Sequence, residues 1–405
     1  MQKNRLLCLC LSAASLLSAS LATSVAYAWG ERGHDACSRI AARLLADHKD
    51  PETAKFGAFL QKKENMLGHL ANVPDIVWRS MGAELDKTSS PAHFVDLDFI
   101  LAPGPLPLAE KLPSTIDAYV KALDKNCARK SKDYPCVSGK TIEEKLQKAG
   151  HAPFRIESLS QDLLQAFKEL KALEIEPGKS GEPGVDQSEG SGNGQRIEKK
   201  NAIVDRVLLL SGILSHYVGD IANPHHTSAD YDGWDSGQGG LHGYFESDIV
   251  DSLSLDLEAT VFDEAQRHEP MAARFAKHPH NYLEQAWELV IDSHEKLAEL
   301  TRVDMQNAVL QKSMDRESKD EPNGKDQTKS SRTGPREKAK RKAVAETRQV
   351  FRNLVILRLA AGADALSRIW LDTWQQAGKP DLSFYRSYHY DVKPEFIPMR
   401  YLPSK

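Results

Sequence analysis

The chain has 405 residues, of which 40% are apolar, and this composition is typical of a folded globular protein. Lysine and arginine total 53 against 57 aspartate and glutamate residues, so the formal net charge is −4 at pH 7. Such a balance excludes bulk electrostatic attraction to nucleic acid or to an anionic membrane, and any phosphate-bearing substrate must therefore be held at a local site.

Residues 1–28 have the pattern of a secretory signal peptide. Lys3 and Arg5 form a basic start, residues 6–21 form an apolar run, and Ala26-Tyr27-Ala28 is a small-x-small cleavage site. Cleavage would make Trp29 the first residue, and the loss of two basic residues would take the formal charge to −6. We find no other run of the roughly 20 apolar residues that a membrane helix needs. The sequence therefore predicts a secreted or periplasmic protein without stable membrane insertion.

Helical periodicity dominates the rest of the chain. Apolar residues recur at helical spacing over 36–46, where Asp35 is the predicted N-cap. The same pattern returns over longer stretches, at 156–173, 203–219, 282–301 and 347–376. Alternating strand patterns are scarce, so the sequence predicts an all-α fold.

Two segments interrupt the helical pattern. Residues 176–200 are rich in Gly, Pro, Ser and Glu, which predicts a surface loop. Residues 313–342 are dense in charged residues and indicate a solvated insertion, with contact to an anionic surface as the alternative. Because apolar helices flank both segments, we predict one domain over 29–380 that carries two long loops, followed by a C-terminal tail over 381–405.

Three cysteines remain once the leader has been removed. In an oxidising compartment, Cys127 and Cys136 are predicted to pair across the short loop between them. This pairing leaves Cys37 as an odd, buried thiol.

The strongest chemical signal is a pair of motifs with a spacing of four residues. His216 and Asp220 would lie one above the other on a helix face, and so would His242 and Glu246. Pro224 ends the first helix, which lets the chain turn and bring His225 or His226 towards the same cleft. Imidazole and carboxylate ligands together suit Zn²⁺.

A second set of candidate ligands lies upstream. It comprises Trp29 with His34 five residues later, Asp75 in Val-Pro-Asp-Ile-Val-Trp-Arg, and His93 in Ala-His-Phe-Val-Asp. Each residue alone is more typical of a cap, a turn or an ordinary hydrogen-bonded histidine. The complete set in this order indicates a metal centre.

This arrangement of residues resembles that of the zinc-dependent phospholipase C and S1/P1 nuclease superfamily. The resemblance extends from Trp29 to the helix that ends near Gln376. The resemblance implies a single mostly helical domain and three Zn²⁺ ions. It assigns the first ion to Asp75, His93, His216 and Asp220, and the second to His226, His242 and Glu246. The third ion is assigned to Trp29, through its α-amine and carbonyl oxygen, to His34 and to a shared oxygen of Asp220.

The resemblance also implies how the centre would act. Asp75 and Asp220 would be catalytic by holding the ions between which a water molecule is acidified towards hydroxide near neutral pH. The second ion would neutralise the phosphate and the leaving oxygen. Three dications can offset the charge of a phosphodiester without a general-acid side chain.

Some features resemble the nuclease branch. They are the Trp29-Gly-x-x-Gly-His34 start, the His93-Phe-Val-Asp96 motif and a Cys-flanked loop with Asp133-Tyr134. The resemblance implies that Phe94 stacks on a nucleobase and that Asp96 hydrogen-bonds its edge, whereas a core aromatic is the ordinary alternative for Phe94. Arg79 lies near the position of a phosphate-contacting residue.

Other features resemble the phospholipases C. Glu246 stands where the nucleases carry Asp, and residues 231–240 replace their Gly-Gly-Asn segment. A nuclease that cuts single-stranded nucleic acid is the favoured function, a phospholipase C is the alternative, and a non-catalytic zinc protein is the third interpretation. A lipase needs an apolar rim, and a nuclease needs aromatic side chains for stacking. Trp78, Tyr231, Trp234, Tyr244 and Phe245 are the candidates for such a rim or for stacking. The sequence indicates no protein partner.

Overall fold

The computed structural model describes residues 29–101, 105–128, 136–137, 139–175, 189–310, 337–387 and 389–402. Within these ranges the regular structure is helical, and β-structure is limited to two isolated antiparallel bridges, Val95 with Gly150 and Val309 with Arg341. The predicted all-α fold is confirmed. The predicted signal peptide and the Asp133-Tyr134 pair lie outside the described residues.

The α-helices, numbered in chain order, are α1 (Gly30–Ala46), α2 (Pro51–Gln61), α3 (Glu64–Val73), α4 (Ala83–Ser89), α5 (Ile116–Ala128), α6 (Ile142–Ala149), α7 (Ala152–Ile175), α8 (Glu189–Ala222), α9 (Leu241–Gly243), α10 (Val250–Ser252), α11 (Leu257–His268), α12 (Ala272–Phe275), α13 (Tyr282–His294), α14 (Leu297–Asn307) and α15 (Val344–Gln376). Short 3₁₀ turns lie at Arg79–Met81, Ser90–His93, Leu97–Phe99, Ala109–Lys111 and Pro224–Thr227. Two π-helical turns lie at Pro74–Trp78 and Tyr244–Ile249.

Helix α8 is the central element of the fold. Helices α3, α7, α13 and α15 pack around it, and α1 packs against α2, α3 and α15. Over Gly194–Ala222 the helix is long and apolar enough to cross a membrane, a length that the periodicity over 203–219 did not reveal. However, 78% of its apolar window is buried inside the protein, so neighbouring helices cover this surface.

Helix α1 begins earlier than predicted. Trp29 takes the N-cap position in a left-handed conformation with φ 52°, and its carbonyl oxygen accepts from Gly33 N at 3.1 Å. The prediction of Asp35 as N-cap was therefore wrong. Asp35 lies inside the helix, where it pairs with Arg39 one turn later at 3.0 Å and accepts from Asn72 at 2.9 Å.

The remaining helix predictions were correct in kind but differ from the structure in extent. The patterns over 156–173, 203–219 and 347–376 lie within α7, α8 and α15, whereas the pattern over 282–301 is divided between α13 and α14. The predicted loop 176–200 was wrong for residues 189–200, which form the first turns of α8 because an established helix extends at low cost. Residues 176–188 and 311–336 are not described.

The cysteine prediction is confirmed. Cys127 and Cys136 form a disulfide with a Cα–Cα distance of 4.8 Å. Cys37 is an unpaired, buried thiol, and its burial raises its pKa to about 12.

The described part of the predicted tail lies against the domain. Phe396, Ile397, Tyr401 and Leu402 pack on the hydrophobic core, and Met399 is buried. The chain thus returns from the end of α15 to the region of α3 and α7.

Candidate metal centre

The first half of the site is built on the end of α8. His216 and Asp220 lie one turn apart on the same face, as predicted, and both are completely buried. The helix ends at Ala222, and Asn223 caps the 3₁₀ turn Pro224–Thr227 by accepting from His225 N at 3.1 Å. This turn carries His226 back beside the helix.

Two π-helical turns carry the two acidic candidate ligands that lie outside α8. Asp75 is in the turn Pro74–Trp78, which continues α3. Glu246 is in the turn Tyr244–Ile249, which continues α9, one turn after His242. Single π-turns inside helices occur frequently at functional sites.

The first group of ligand atoms centres on the Asp220 carboxylate. Its Oδ2 lies 3.0 Å from His93 Nδ1 and 3.2 Å from His216 Nε2, and the two ring nitrogens are 2.9 Å apart. Asp75 Oδ1 completes the group at 3.6 Å from His93 Nδ1. The structure thus brings together the four residues assigned to the first ion.

His34 lies on the other side of the same carboxylate. Its Nε2 is 3.4 Å from Asp220 Oδ1, and its ring stacks on His216 with a centroid distance of 4.2 Å. His34, Asp75 and His216 also form a group whose ligand atoms lie within 4.8 Å of one another. Asp220 therefore contacts ligands of two predicted ions, as a bridging residue must.

The second group consists of His226, His242 and Glu246. His242 Nε2 lies 2.7 Å from Glu246 Oε2 and 3.0 Å from His226 Nε2, and His226 Nε2 lies 3.6 Å from the same carboxylate oxygen. Asn223 Nδ2 donates to Glu246 Oε2 at 3.0 Å. All three residues assigned to the second ion are thus in one place.

Trp29 reaches the site from the start of α1. Its side chain is fully buried, and its Nε1 donates to Gly219 O at 2.6 Å. Its backbone nitrogen donates to Oε2 of Glu246 at 3.1 Å. Glu246 is a residue assigned to the second ion. The structure places Trp29 beside the predicted metal centre, whereas its role at the third ion, together with His34 and Asp220, stays a prediction.

The hydrogen-bonding pattern fits a divalent cation. His216 Nδ1 lies 2.7 Å from Ala71 O, and His226 Nδ1 lies 2.7 Å from His93 O. A carbonyl oxygen only accepts, so these contacts place the proton of each neutral ring on Nδ1 and leave a lone pair on Nε2. Both lone pairs face carboxylate oxygens, and either a cation or a proton bound between nitrogen and oxygen would relieve the repulsion. Asp220 Oδ1, His242 Nδ1 and Glu246 Oε1 are also buried without a hydrogen-bond partner.

The electrostatics of the site agree with this geometry. Burial and, next in size, the charge of Arg79 hold the pKa of His93 well below its usual value, and burial likewise lowers the pKa of His216. Burial lowers the pKa of His242 to about 4 and raises that of Glu246 to about 7. His93, His216 and His242 are therefore neutral at pH 7 and carry no positive charge of their own.

The three predicted substrate residues lie in different surroundings. Arg79 is partly buried, and its Nη2 contacts the ligand Asp75 at 3.1 Å. Phe94 is partly buried and packs closely on Gly150, whereas Asp96 is completely buried. Arg79 thus adjoins the predicted metal centre, and contact of Phe94 or Asp96 with a nucleobase stays a prediction.

The aromatic candidates for a rim divide into two sets. Trp78, Tyr244 and Phe245 are buried and belong to the core. Tyr231 and Trp234 are partly exposed, and the ring of Tyr231 lies 6.1 Å from that of His242. Only the second set could face a substrate in this conformation.

Sequence reasoning missed Asn223 and left His225 undecided. Asn223 joins both halves of the centre, since its amide contacts Glu246 and its oxygen caps the turn of His226. His225 is buried and stacks on His242 with a centroid distance of 5.5 Å, and it lies outside the three groups. The Asn-Pro pair was the available signal, because Asn before Pro is typical of a turn that starts with a side-chain cap.

No family model, curated protein or solved structure matches this chain. The geometry therefore carries the interpretation. Buried histidine and acidic residues form three groups that could hold metal ions.

Proposed function

We propose that this protein is a secreted or periplasmic zinc-dependent phosphodiesterase, related to the phospholipase C and S1/P1 nuclease superfamily, that hydrolyses single-stranded nucleic acid. One observation carries the proposal: eight buried side chains from distant parts of the chain converge in three overlapping groups, and the ligand atoms of each group lie within 4.8 Å of one another. They are His34, Asp75, His93, His216, Asp220, His226, His242 and Glu246.

The donor set favours zinc. Five imidazoles and three carboxylates match the nitrogen and oxygen ligands of Zn²⁺, and no thiolate is present among the three groups. Asp75, His93, His216 and Asp220 would hold one ion, and His226, His242 and Glu246 another. His34, Asp220 and the α-amine of Trp29 would hold a third. Bound zinc would lower the pKa of a water molecule and neutralise phosphate charge.

Residues of the chain would prepare the centre for this chemistry. Carbonyl oxygens of Ala71 and His93 fix the ring orientation of His216 and His226. Arg79 holds Asp75 by an ion pair and adds a positive charge beside the site, which would help to bind an anionic phosphodiester. Phe94 follows the ligand His93 directly and would offer a face for a nucleobase, a contact worth roughly 1–3 kcal/mol per base.

A phospholipase C is the second candidate because two apolar side chains beside Asp75 are exposed. Ile76 is 41% exposed and Met81 is 53% exposed, and both lie on the turns that carry Asp75 and Arg79. Exposed apolar residues at the edge of a site are able to contact a lipid surface. Assays on nucleic acid and on lipid vesicles separate the two substrates.

The test uses processed protein with measured zinc content, assayed on single-stranded DNA, RNA and phosphatidylcholine vesicles. We expect cleavage of nucleic acid that is lost on chelation and returns with zinc. Cleavage of lipid alone would move the protein to the phospholipase branch, and no zinc-dependent cleavage of any substrate would refute the proposal. His226→Ala should abolish activity, whereas His268→Ala, at a surface histidine whose side chain is 62% exposed, should not.

A further inference from the structure

The last described segment of the chain, residues 391–402, lies behind the first ligand group. We propose that this segment, called the strap below, positions the ligands of the first group and sets the metal affinity of that group. The inference rests on the metal-binding part of the proposed function. It goes further by assigning a role to residues that contact no predicted ion.

The strap first meets the turn of Asp75. Trp78, which is fully buried in that turn, donates from Nε1 to Pro394 O at 2.8 Å. The ring of Phe396 packs edge-to-face on Trp78 at a centroid distance of 4.9 Å. Pro394 and Phe396 therefore hold the indole that follows Asp75 by three residues.

The second contact runs through Arg155. This arginine is fully buried, and it donates to Ile397 O at 2.9 Å and to Pro398 O at 3.4 Å. Its guanidinium lies 5.6 Å from the ring of Phe396 and 5.3 Å from the ring of Tyr217. A buried cation that lost both carbonyl partners would be costly, so Arg155 depends on the strap for its position.

Tyr217 connects Arg155 to two ligands. Its buried ring lies edge-to-face against both His93 and His216, with a centroid distance of 5.2 Å in each case. A shift of Arg155 would release one face of Tyr217 and with it the support of both imidazoles. The strap thus reaches two ligands of the first ion through two intervening residues.

The third contact is at the end of the strap. Tyr401 OH lies 3.0 Å from Nδ1 of His151, which is buried. His151 N donates to Pro91 O at 2.8 Å, and Pro91 lies in the same 3₁₀ turn as His93. Trp78, Tyr217 and His151 therefore each join the strap to a ligand of the first group.

The second group offers a built-in reference. Glu246 is fixed by Trp29 and Asn223, and the strap supplies neither contact. His226 is held by the carbonyl oxygen of His93, so the strap reaches the second group only indirectly, through the first. Outer partners of metal ligands typically contribute 10- to 100-fold in metal affinity. We therefore expect loss of the strap to weaken the first group by about this factor and to weaken the second group much less.

The experiment uses the processed chain with a protease site inserted between Tyr390 and Asp391, so that the protein folds before the strap is cut and separated. Zinc affinity is measured by competition with a chromophoric chelator, both in this protein and in a His242→Ala version that lacks the second group. Binding by the first group should fall about 10- to 100-fold after cutting. A synthetic peptide of residues 391–405 should restore it.

Arg155→Met is a second variant that keeps the chain intact, and it should weaken the same group. Arg400→Ala is the matched control on the strap, because this side chain is 77% exposed and should have no effect. Equal zinc affinity before and after cutting, or an equal loss in both groups, would overturn the role of the strap. If the uncut protein binds no zinc, the proposed function and this inference fail together.

Discussion

Replacement of Asp220 by asparagine tests the bridging ligand directly. The carboxylate is fully buried, and its oxygens lie 3.0 Å, 3.2 Å and 3.4 Å from the nitrogens of His93, His216 and His34. An asparagine at this position would keep the shape of the side chain and remove its charge. The variant should therefore bind zinc more weakly at the first and third sites, while the fold is retained.

The expected loss of zinc-dependent stabilisation follows from the linkage between binding and folding. Zinc present at 100 times its dissociation constant stabilises the folded state by about 2.7 kcal/mol, and a 100-fold weaker site reduces this to about 0.4 kcal/mol. In metal-free protein, the same substitution should not lower the free energy of unfolding. Burial and the charge of Asp75 raise the pKa of Asp220 well above its usual value, so its charged form opposes folding at pH 7. Metal-free Asp220→Asn should thus be at least as stable as metal-free wild type.

The assay is urea unfolding of both proteins with and without zinc, followed by circular dichroism. Asp263→Asn, a change at an exposed aspartate on α11, is the matched control and should keep the full response to zinc. The same zinc-dependent stabilisation in Asp220→Asn and wild type would refute the bridging role. Near-wild-type turnover with full zinc content would refute it as well.

Four further predictions test other parts of the structure. Burial holds the pKa of His151 at about 3 against 6.5 when unfolded, so the unfolded state takes up a proton first and stability falls as pH decreases from 6.5 towards 3. His151→Gln should remove up to about 1.4 kcal/mol per pH unit of this slope in urea unfolding of metal-free protein, and identical slopes would contradict it. Gly57→Ala should cost about 1–3 kcal/mol or more, because its Cβ would lie 2.1 Å from backbone atoms of α1, whereas Gly194→Ala has open space and should not destabilise the fold. Native processed protein should show no thiol reactive towards a maleimide, and guanidinium should expose one, Cys37; two or three would disprove the disulfide. An extra alanine before Trp29 should remove one zinc ion per chain, and unchanged zinc content of a verified extended protein would disprove the α-amine ligand.

The ligand set was predictable because its spacing follows helix geometry. His216 with Asp220, and His242 with Glu246, are four residues apart, and this spacing alone places each pair on one face. The meeting of Asp75, His93 and α8 could not be derived from local spacing, since it depends on how α3 and the 3₁₀ turn Ser90–His93 pack against α8. That part came from the resemblance, and the structure brings these residues together.

Other features were invisible in the sequence for physical reasons. Asp35 has the residue type of an N-cap, but the helix begins six residues earlier than predicted, where Trp29 and Gly30 adopt positive φ angles that no simple pattern reveals. The strap has no helical or alternating periodicity, so its contacts with Trp78 and Arg155 could not be anticipated.

The most direct test of the metal centre is X-ray diffraction from zinc-loaded crystals of the processed protein, recorded on both sides of the zinc absorption edge. The proposal predicts three anomalous peaks: one among Asp75, His93, His216 and Asp220, one among His226, His242 and Glu246, and one beside His34 and the Trp29 amine. Anomalous density confined to surface residues, with none at the Asp220 carboxylate, would contradict it.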